Sequence, residues 1–584
     1  MDFFSFVTLL GGLAFFLYGM NVLSDGLERM AGGRLEGALK KMTSNRFKSL
    51  ALGAGITMAI QSSSAVTVML VGLVSSGIMT IGQSIGVIMG SNIGTTMTAW
   101  ILTLIGVESD NFIMSLAKPE NFSLIFAFAG ILMIMVSKND KRKNLGSIFV
   151  GVAILMYGMK LMSGAVKPLA DNPAFTSLFT AFRNPLLGVL VGLVVTAVIQ
   201  SSSASVGILQ ALALTGSVSY GAAIPIIMGQ NIGTCVTAMI SSMGASKNAR
   251  KVAVVHVAFN LLGTTVCLIL YALGDALFQI PILDQPIDAV GIATVHTLFN
   301  VFTTCLLLPF TRQLEALANR ILPETAEEKA RKQPLLDERL LATPSVAIAE
   351  AELLSVKMAN VARDSLVTAL GLLTEYSDSL FQQILSQEKE VDRYEDTLGS
   401  YLVKLSAVQL SETDSRKVSR MLHSIGDMER LSDHAVNLAE AAKELRDKNL
   451  SFSETARKEL GLLRSALEQT LDLTVRCYEN NNVTLAACVE PMEETVDDLV
   501  AGIKARHIER LQSGECSIEL GFILSDLLND AERVSDHCST IAVAVIELTH
   551  GSFAAHKYLH KLRDGKQFQN AYHAYARKYD LNNL

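Results

Sequence analysis

Ile60-Gln61-Ser62-Ser63-Ser64-Ala65 lies in the middle of a long apolar stretch, and Ile199-Gln200-Ser201-Ser202-Ser203-Ala204 repeats it residue for residue. Around these copies, residues 53–101 align without a gap on residues 192–240 at a constant offset of 139, with 23 of 49 positions identical. The offset holds upstream, where Leu17-Tyr18-Gly19-Met20 matches Met156-Tyr157-Gly158-Met159, so the repeated blocks are 11–101 and 150–240. A polar cluster duplicated inside a hydrophobic repeat is what a membrane carrier needs at its substrate site.

The rest of the composition divides the chain in two. Of 584 residues, half are hydrophobic and 18% are charged, against roughly 25% in a soluble domain. Residues 3–311 hold most of the long apolar stretches, whereas 345–550 read as soluble helices rich in Glu, Asp, Lys, Arg and Leu. A net charge of -7 selects no partner class, and no nucleic-acid-binding motif is evident. The seven cysteines form no Cys-x-x-Cys pair, so neither a zinc site nor a disulfide framework is signalled. The first apolar stretch follows Asp2 with no basic n-region and reads as a transmembrane helix rather than a cleaved signal.

Apolar runs place spans near 3–23, 80–106, 121–137, 145–166, 219–241, 252–272 and 289–311. Three connecting loops are basic: 24–48 with Arg29, Arg34, Lys40, Lys41, Arg46 and Lys48; the loop with Lys138, Lys141, Arg142 and Lys143; and the loop with Lys247, Arg250 and Lys251. By the positive-inside rule these are cytoplasmic, as is the chain after Phe310. Loops 107–120 and 273–288 carry Glu108, Asp110, Asp275, Asp284 and Asp288 with a single lysine, Lys118, and belong outside. Repeat one then exits to the outside and repeat two to the cytoplasm, which makes the repeats inverted in topology. The crossing count works only if segment 49–79 enters and returns on one side. Each half has about 12–15 residues, roughly 18–22 Å of helix, too short for a ~30 Å hydrocarbon core. Segment 186–218 has the same form. Two re-entrant hairpins with Gln-Ser-Ser-Ser at their tips are expected. The spans that follow carry Gly90-Ser91-Asn92-Ile93-Gly94-Thr95-Thr96 and Gly229-Gln230-Asn231-Ile232-Gly233-Thr234-Cys235, and both are expected to break there.

Residues 49–107 and 184–246 contain no Asp, Glu, Lys, Arg or His. The candidate substrate and sodium ligands are therefore neutral: Gln61, Ser62, Ser63, Ser64, Asn92 and Thr95 from the first repeat, and Gln200, Ser201, Ser202, Ser203, Asn231 and Thr234 from the second. Helix N-termini after the serines suit an oxyanion, and unwound carbonyls with hydroxyl and amide oxygens suit a hard cation. A lone anion buried among neutral groups is costly, so an anion and a monovalent cation are expected to bind together. The competing reading is polar glue between helices. A serine nucleophile lacks a base in either stretch, and no enzymatic constellation is found. A second pair, His256-Val-Ala-Phe-Asn260 and His296-Thr-Leu-Phe-Asn300, puts each His and Asn on one helix face with Thr264 and Thr304. These residues are either interhelical hydrogen-bonding groups or part of the transport path.

Paired Gln-Ser-Ser-Ser motifs within inverted repeats resemble the sodium/phosphate cotransporter family, over roughly residues 1–312. The resemblance implies sodium-coupled symport of inorganic phosphate, with the two motifs forming the site. Phosphate sensing with little transport, or carriage of another oxyanion, are the alternatives.

Residues 313–344 read as an exposed linker. In 345–550, Asp427-Met-Glu429-Arg430-Leu-Ser-Asp433-His434 matches Asp530-Ala-Glu532-Arg533-Val-Ser-Asp536-His537 at an offset of 103. One helix upstream, Glu388/Asp392 and Glu493/Asp497 repeat at an offset of 105. Two similar three-helix bundles follow. Each Glu-x-x-x-Asp presents both carboxylates on one helix face, able to hold a hard metal or simply to form a solvated acidic face. These repeats resemble PhoU, the regulator of bacterial phosphate uptake, which implies a divalent or iron-type metal at Glu388, Asp392, Glu429, Asp433, Glu493, Asp497, Glu532 and Asp536. The tail 551–584 is mildly basic. The expectation is thus an all-α chain: a polytopic domain in a bacterial cytoplasmic (inner) membrane with its N-terminus outside, and a cytoplasmic regulatory domain. Its expected partners are phosphate, sodium and the lipid bilayer, and a second copy of the chain is admitted.

Overall fold

A computed structural model of the protein describes residues 3–31, 45–75, 79–103, 119–137, 139–167, 184–323, 335–408, 410–550 and 565–584. The loop charges Arg34, Lys40, Lys41, Glu108, Asp110, Lys118 and Lys138 lie outside the described residues. The chain divides into two compact units, Met1–Val346 and Ala347–Leu584. Among the described residues both are helical and no strand forms, beyond an isolated bridge between Ser219 and Pro286.

In the first unit, α1 (Phe3–Ala31) is followed by α2 (Arg46–Ile60), α3 (Ser63–Ser75), α4 (Ile81–Thr103), α5 (Pro119–Val136) and α6 (Asp140–Val166). The second half repeats the order with α7 (Pro185–Ile199), α8 (Ser202–Ala213), α9 (Tyr220–Gly233) and α10 (Cys235–Ser242), then adds α11 (Lys247–Phe278), α12 (Ala289–Leu307) and α13 (Thr311–Ile321). Among the described residues, six helical stretches are long and apolar enough to cross a membrane. The expected span near 121–137 falls on α5, of which Ser123–Val136 is an apolar helical piece.

Two expectations need correction. Residues 90–96 do not break their helix, since α4 runs without interruption from Ile81 to Thr103. In the second repeat the interruption amounts to one residue, Thr234, between α9 and α10. The glycines serve close approach instead of unwinding. A Cβ on Gly90 would stand 2.0 Å from the Leu50 carbonyl oxygen, and one on Gly229 would stand 2.0 Å from that of Val189. Helix α4 therefore lies directly on α2, and α9 lies on α7, at a separation that no side chain would permit. The second correction concerns the linker. Residues Thr311–Ile321 are helical, and a short 3-10 turn at Glu338–Ala342 packs on α3 with Leu340 wholly buried. Leu336 and Leu340 give this segment an apolar side to bury, which its charged neighbours obscured.

Helices α1 and α6, which occupy equivalent places in the two repeats, pair antiparallel. In α1 and α6, Gly12 faces Gly158 and Gly19 faces Gly151, each glycine against the other's carbonyl oxygen. Positions 12 and 151 are repeat mates, as are 19 and 158, so this antiparallel contact maps onto itself when the repeats are exchanged. The same reversal holds along α12. Trp100, late in α4, donates to Thr297 near the start of α12, while Gly82, early in α4, lies against Glu315 beyond its end. Tyr220, first in α9, lies instead against Gly291 at the start of α12.

The second unit is built from α14 (Pro344–Leu372), α15 (Asp378–Ser406) and α16 (Glu412–Asp447), then α17 (Glu454–Asn480), α18 (Val489–Gln512) and α19 (Ile518–His550). Leu398, Leu402 and Met421 fill the first triplet, and Leu467, Leu471, Val496 and Leu528 the second. Each recurs at the helical spacing that builds one apolar stripe. Of the basic tail, Lys566–Lys578 forms α20, which packs on α18 with Tyr572 donating to Asp498.

Candidate functional site

Each Gln-Ser-Ser-Ser motif is a helix end joined to a helix start. Gln61 closes α2 and Gln200 closes α7, both with φ 58° and ψ 23°. Their N–H groups donate to the Thr57 and Thr196 carbonyls, each at 2.7 Å. A left-handed conformation is uncommon for a non-glycine residue, and the chain adopts it identically twice. The first serine then caps the next helix: Ser62 Oγ accepts from Ala65 N–H, and Ser201 Oγ from Ala204 N–H, both at 3.2 Å. Ser63, Ser202 and Ser203 are buried in the first turns of α3 and α8. The two motifs meet, because Ser64 Oγ donates to the Gln200 carbonyl at 3.5 Å. Two positive helix ends thus converge within segments 49–107 and 184–246, which contribute no Asp, Glu, Lys, Arg or His.

The other predicted residues divide. Gln61 is held at both ends of its amide, by Thr98 Oγ1 donating to Oε1 at 2.8 Å and by Nε2 donating to Met58 O at 2.6 Å. Asn92 Nδ2 donates to Asn260 Oδ1 at 2.9 Å, joining the repeat to α11. Thr95, Asn231, Thr234 and Asn300 bond to backbone carbonyls of their own helices. His256 and His296 are buried, and none of their ring nitrogens has a hydrogen-bond partner.

Sequence reasoning missed a further layer. Thr57 Oγ1, Thr196 Oγ1, Gln230 Oε1 and Thr237 Oγ1 are buried without partners. A buried polar group left alone costs about 1–3 kcal/mol, so each of these calls for water, an ion or a ligand. Thr57 and Thr196 are identical at the 139 offset, and that is the signal which could have found them.

The second unit gathers charge instead. Oxygens of Glu388, Asp392 and Asp433 lie within 4.8 Å of one another. Burial, then Asp392 and Asp433, raises the carboxyl of Glu388, and burial, then Asp433, raises that of Glu429. In the second bundle, Asp497 is pushed up to about 6, first by burial and then by Glu532, Asp536, Glu494 and Asp498. Burial also raises Asp536, against the pull of Arg533. Glu493 is buried beside them, and Asp497 Oδ1 has no hydrogen-bond partner. Arg430 and Arg533 reach these clusters only from outside, at 3.7 Å (Glu429), 3.8 Å (Asp433) and 3.5 Å (Asp536). An all-carboxylate donor set fits a hard cation. His434 and His537 turn elsewhere: His434 Nδ1 pairs with Asp530 and His537 Nδ1 with Asp427, each at 2.8 Å, so each motif binds the aspartate of the other.

The family model described as Na+/Pi-cotransporter matches residues 15–164 and again 154–289. An uncharacterised Bacillus subtilis protein, YqeW, is 32% identical over 312 residues, covering 53% of this chain and 96% of its own. The chain belongs to the Na+/Pi-cotransporter family. This cotransporter-family chain also matches the PhoU domain at 356–442 and 462–545. Over nearly its whole length it is similar to the Escherichia coli "Putative inorganic phosphate export protein YjbB", at 24% identity, 92% of this chain and 97% of that one. A 99-residue stretch is 39% identical to the rat "Sodium-dependent phosphate transport protein 2A", covering 16% of this chain and 15% of that one. PhoU of Streptococcus pneumoniae superposes with a TM-score of 0.33 at 18% identity, over 36% of this chain and 99% of that one. With its apolar helices, this family member is a multi-pass membrane protein.

Proposed function

We propose that the protein carries inorganic phosphate across a bacterial inner membrane coupled to sodium, at a site formed where the two Gln-Ser-Ser-Ser motifs meet. The observation that carries this reading is the convergence of two capped helix N-termini, linked by Ser64 and Gln200, among buried neutral oxygens without partners. Backbone N–H groups of α3 and α8 would hold the anion. Gln61, Ser62 to Ser64, Gln200, Ser201 to Ser203, Asn92, Thr95, Asn231 and Thr234 supply amide and hydroxyl groups for phosphate and sodium. The absence of Asp, Glu, Lys, Arg and His from 49–107 and 184–246 leaves co-bound cations as the charge balance. The antiparallel runs of α1 and α6, and of α4 and α9, support an inverted repeat with α2–α3 and α7–α8 as re-entrant hairpins. Loop charge supports an external N-terminus and a cytoplasmic second unit.

The eight carboxylates of the PhoU-like unit would hold two hard metal ions, and that unit would regulate transport.

Radiolabelled phosphate flux in proteoliposomes, under sodium gradients of both signs, tests substrate, coupling and direction together. Accumulation that ignores sodium would remove the coupling. Equal competition by sulfate would widen the substrate to oxyanions in general.

A further inference from the structure

The two His-x-x-Phe-Asn helices stand in exchanged environments. Helix α11 packs against α3, α4, α9 and α10; helix α12 packs against α8, α9 and α4. Exchanging the repeats turns one set of neighbours into the other. Where α11 and α12 cross, a Cβ on Gly263 would fall 2.1 Å from Thr303 Cγ2. Positions 263 and 303 are separated by 40 residues, as are His256 and His296. The two-fold relation of the repeats therefore passes through this crossing, although α11 and α12 are not related by the 139-residue offset.

Against that symmetry the bonds of the two asparagines differ: Asn260 Nδ2 also donates to Cys235 Sγ on α10, at 3.4 Å, whereas Thr96, the repeat mate of Cys235, donates to Ile93 O. Asn260 Nδ2 donates to His256 O at 3.1 Å, and its mate Asn300 Nδ2 donates to His296 O at 2.9 Å. Asn260 Oδ1 also accepts from Asn92, at 2.9 Å. The equivalent bond would join Asn231 to Asn300. Among the described residues it is not made, and Asn231 Nδ2 donates to Ile227 O instead, at 3.2 Å. All four asparagines are buried, with at most 4% of their surface exposed.

We propose that Asn92–Asn260 and Asn231–Asn300 are alternating latches, one made in each access state of the carrier, and that this structure is the state with the first latch closed. The proposal rests on the carrier reading above. In a carrier built from opposed repeats, the halves exchange conformations as the site changes sides, so a bond made in one half and open in its mate marks the half that is closed. The partnerless rings of His256 and His296 lie one turn before the latch residues. Displacing either helix therefore breaks no hydrogen bond of a ring.

The test uses full-length protein in lipid vesicles, with the native cysteines replaced and cysteine pairs N92C/N260C and N231C/N300C introduced together. A short bifunctional methanethiosulfonate reagent reads which pair is close. One cross-link per molecule is expected, at either pair, with sodium and phosphate shifting the ratio between them. Both cross-links in one molecule would overturn the proposal, as would a second pair that never cross-links under any sodium or phosphate condition. In the native background, N260A and N300A should shift external phosphate affinity in opposite directions, by up to about tenfold for one buried hydrogen bond. Shifts in the same direction would show two ligands instead of two latches. Reciprocal cross-linking, with no phosphate flux by the unsubstituted full-length protein in the same vesicles, would spare the latches and refute the phosphate reading.

Discussion

Both units of this chain are internal duplications, yet they treat polar groups in opposite ways. The membrane unit brings two helix ends together, with no Asp, Glu, Lys, Arg or His in segments 49–107 and 184–246. The second unit crowds eight carboxylates onto four helices and lets them repel. The difference teaches where each unit draws its selectivity. A carrier must release what it binds, and neutral groups with helix ends bind without trapping. The metal site proposed for the second unit would hold its ion tightly, because nothing has to pass through it.

The comparison breaks most readily at the glycine contacts that create the membrane site. Gly90→Ala and Gly229→Ala should each cost about 3 kcal/mol, the upper end for overpacking, read as thermal unfolding in detergent. Gly55→Ala has open space and should be neutral. If all three behave alike, close helix approach is not what builds the site.

Next comes the acidic unit. Below pH 6, metal binding to the full chain should weaken by up to about tenfold per pH unit for each proton displaced, measured by metal titration. The metal-free protein should show the opposite trend at Asp497. Its folded value of about 6 exceeds the ordinary 3.8. Stability from its protonation is therefore full below 3.8 and lost as pH rises through 6. D497N should abolish that dependence and raise the melting temperature at pH 7 without metal.

A smaller effect is expected at the caps. S62A and S201A should each cost about 1 kcal/mol and weaken sodium-dependent phosphate binding to a similar degree, since both serines cap at 3.2 Å. Unequal losses would show that the two motifs are not interchangeable.

The smallest effect lies in the crossed His434–Asp530 and His537–Asp427 pairs. H434Q or H537Q should cost no more than about 1 kcal/mol in unfolding, since both rings are partly exposed.

Much of this was legible in the residues. The 139-residue offset, the charge-free segments and the doubled acidic motifs are self-similarities that need no coordinates. Other features misled. Gly90 and Gly94 read as helix breakers because glycine lowers helix propensity, but their lack of a Cβ is what α2 requires. Leu340 was hidden in a charged linker because burial depends on what lies opposite. The difference in bonding could not be read from Asn92 and Asn231 themselves, which both stand in Asn-Ile-Gly-Thr.

By itself the sequence determined that Gln-Ser-Ser-Ser occurs twice, at helix-breaking positions in an uncharged apolar background, and that two acidic motifs recur in a soluble half. Periodicity, charge and repetition are local properties, and they are written residue by residue. Only the tertiary structure decided that the two motifs touch through Ser64 and Gln200, that α1 and α6 pair antiparallel, and that each histidine of the acidic unit pairs with the aspartate of the other motif. Those outcomes depend on which surfaces can approach closely enough to pack, and that is a property of pairs of helices that neither helix encodes alone.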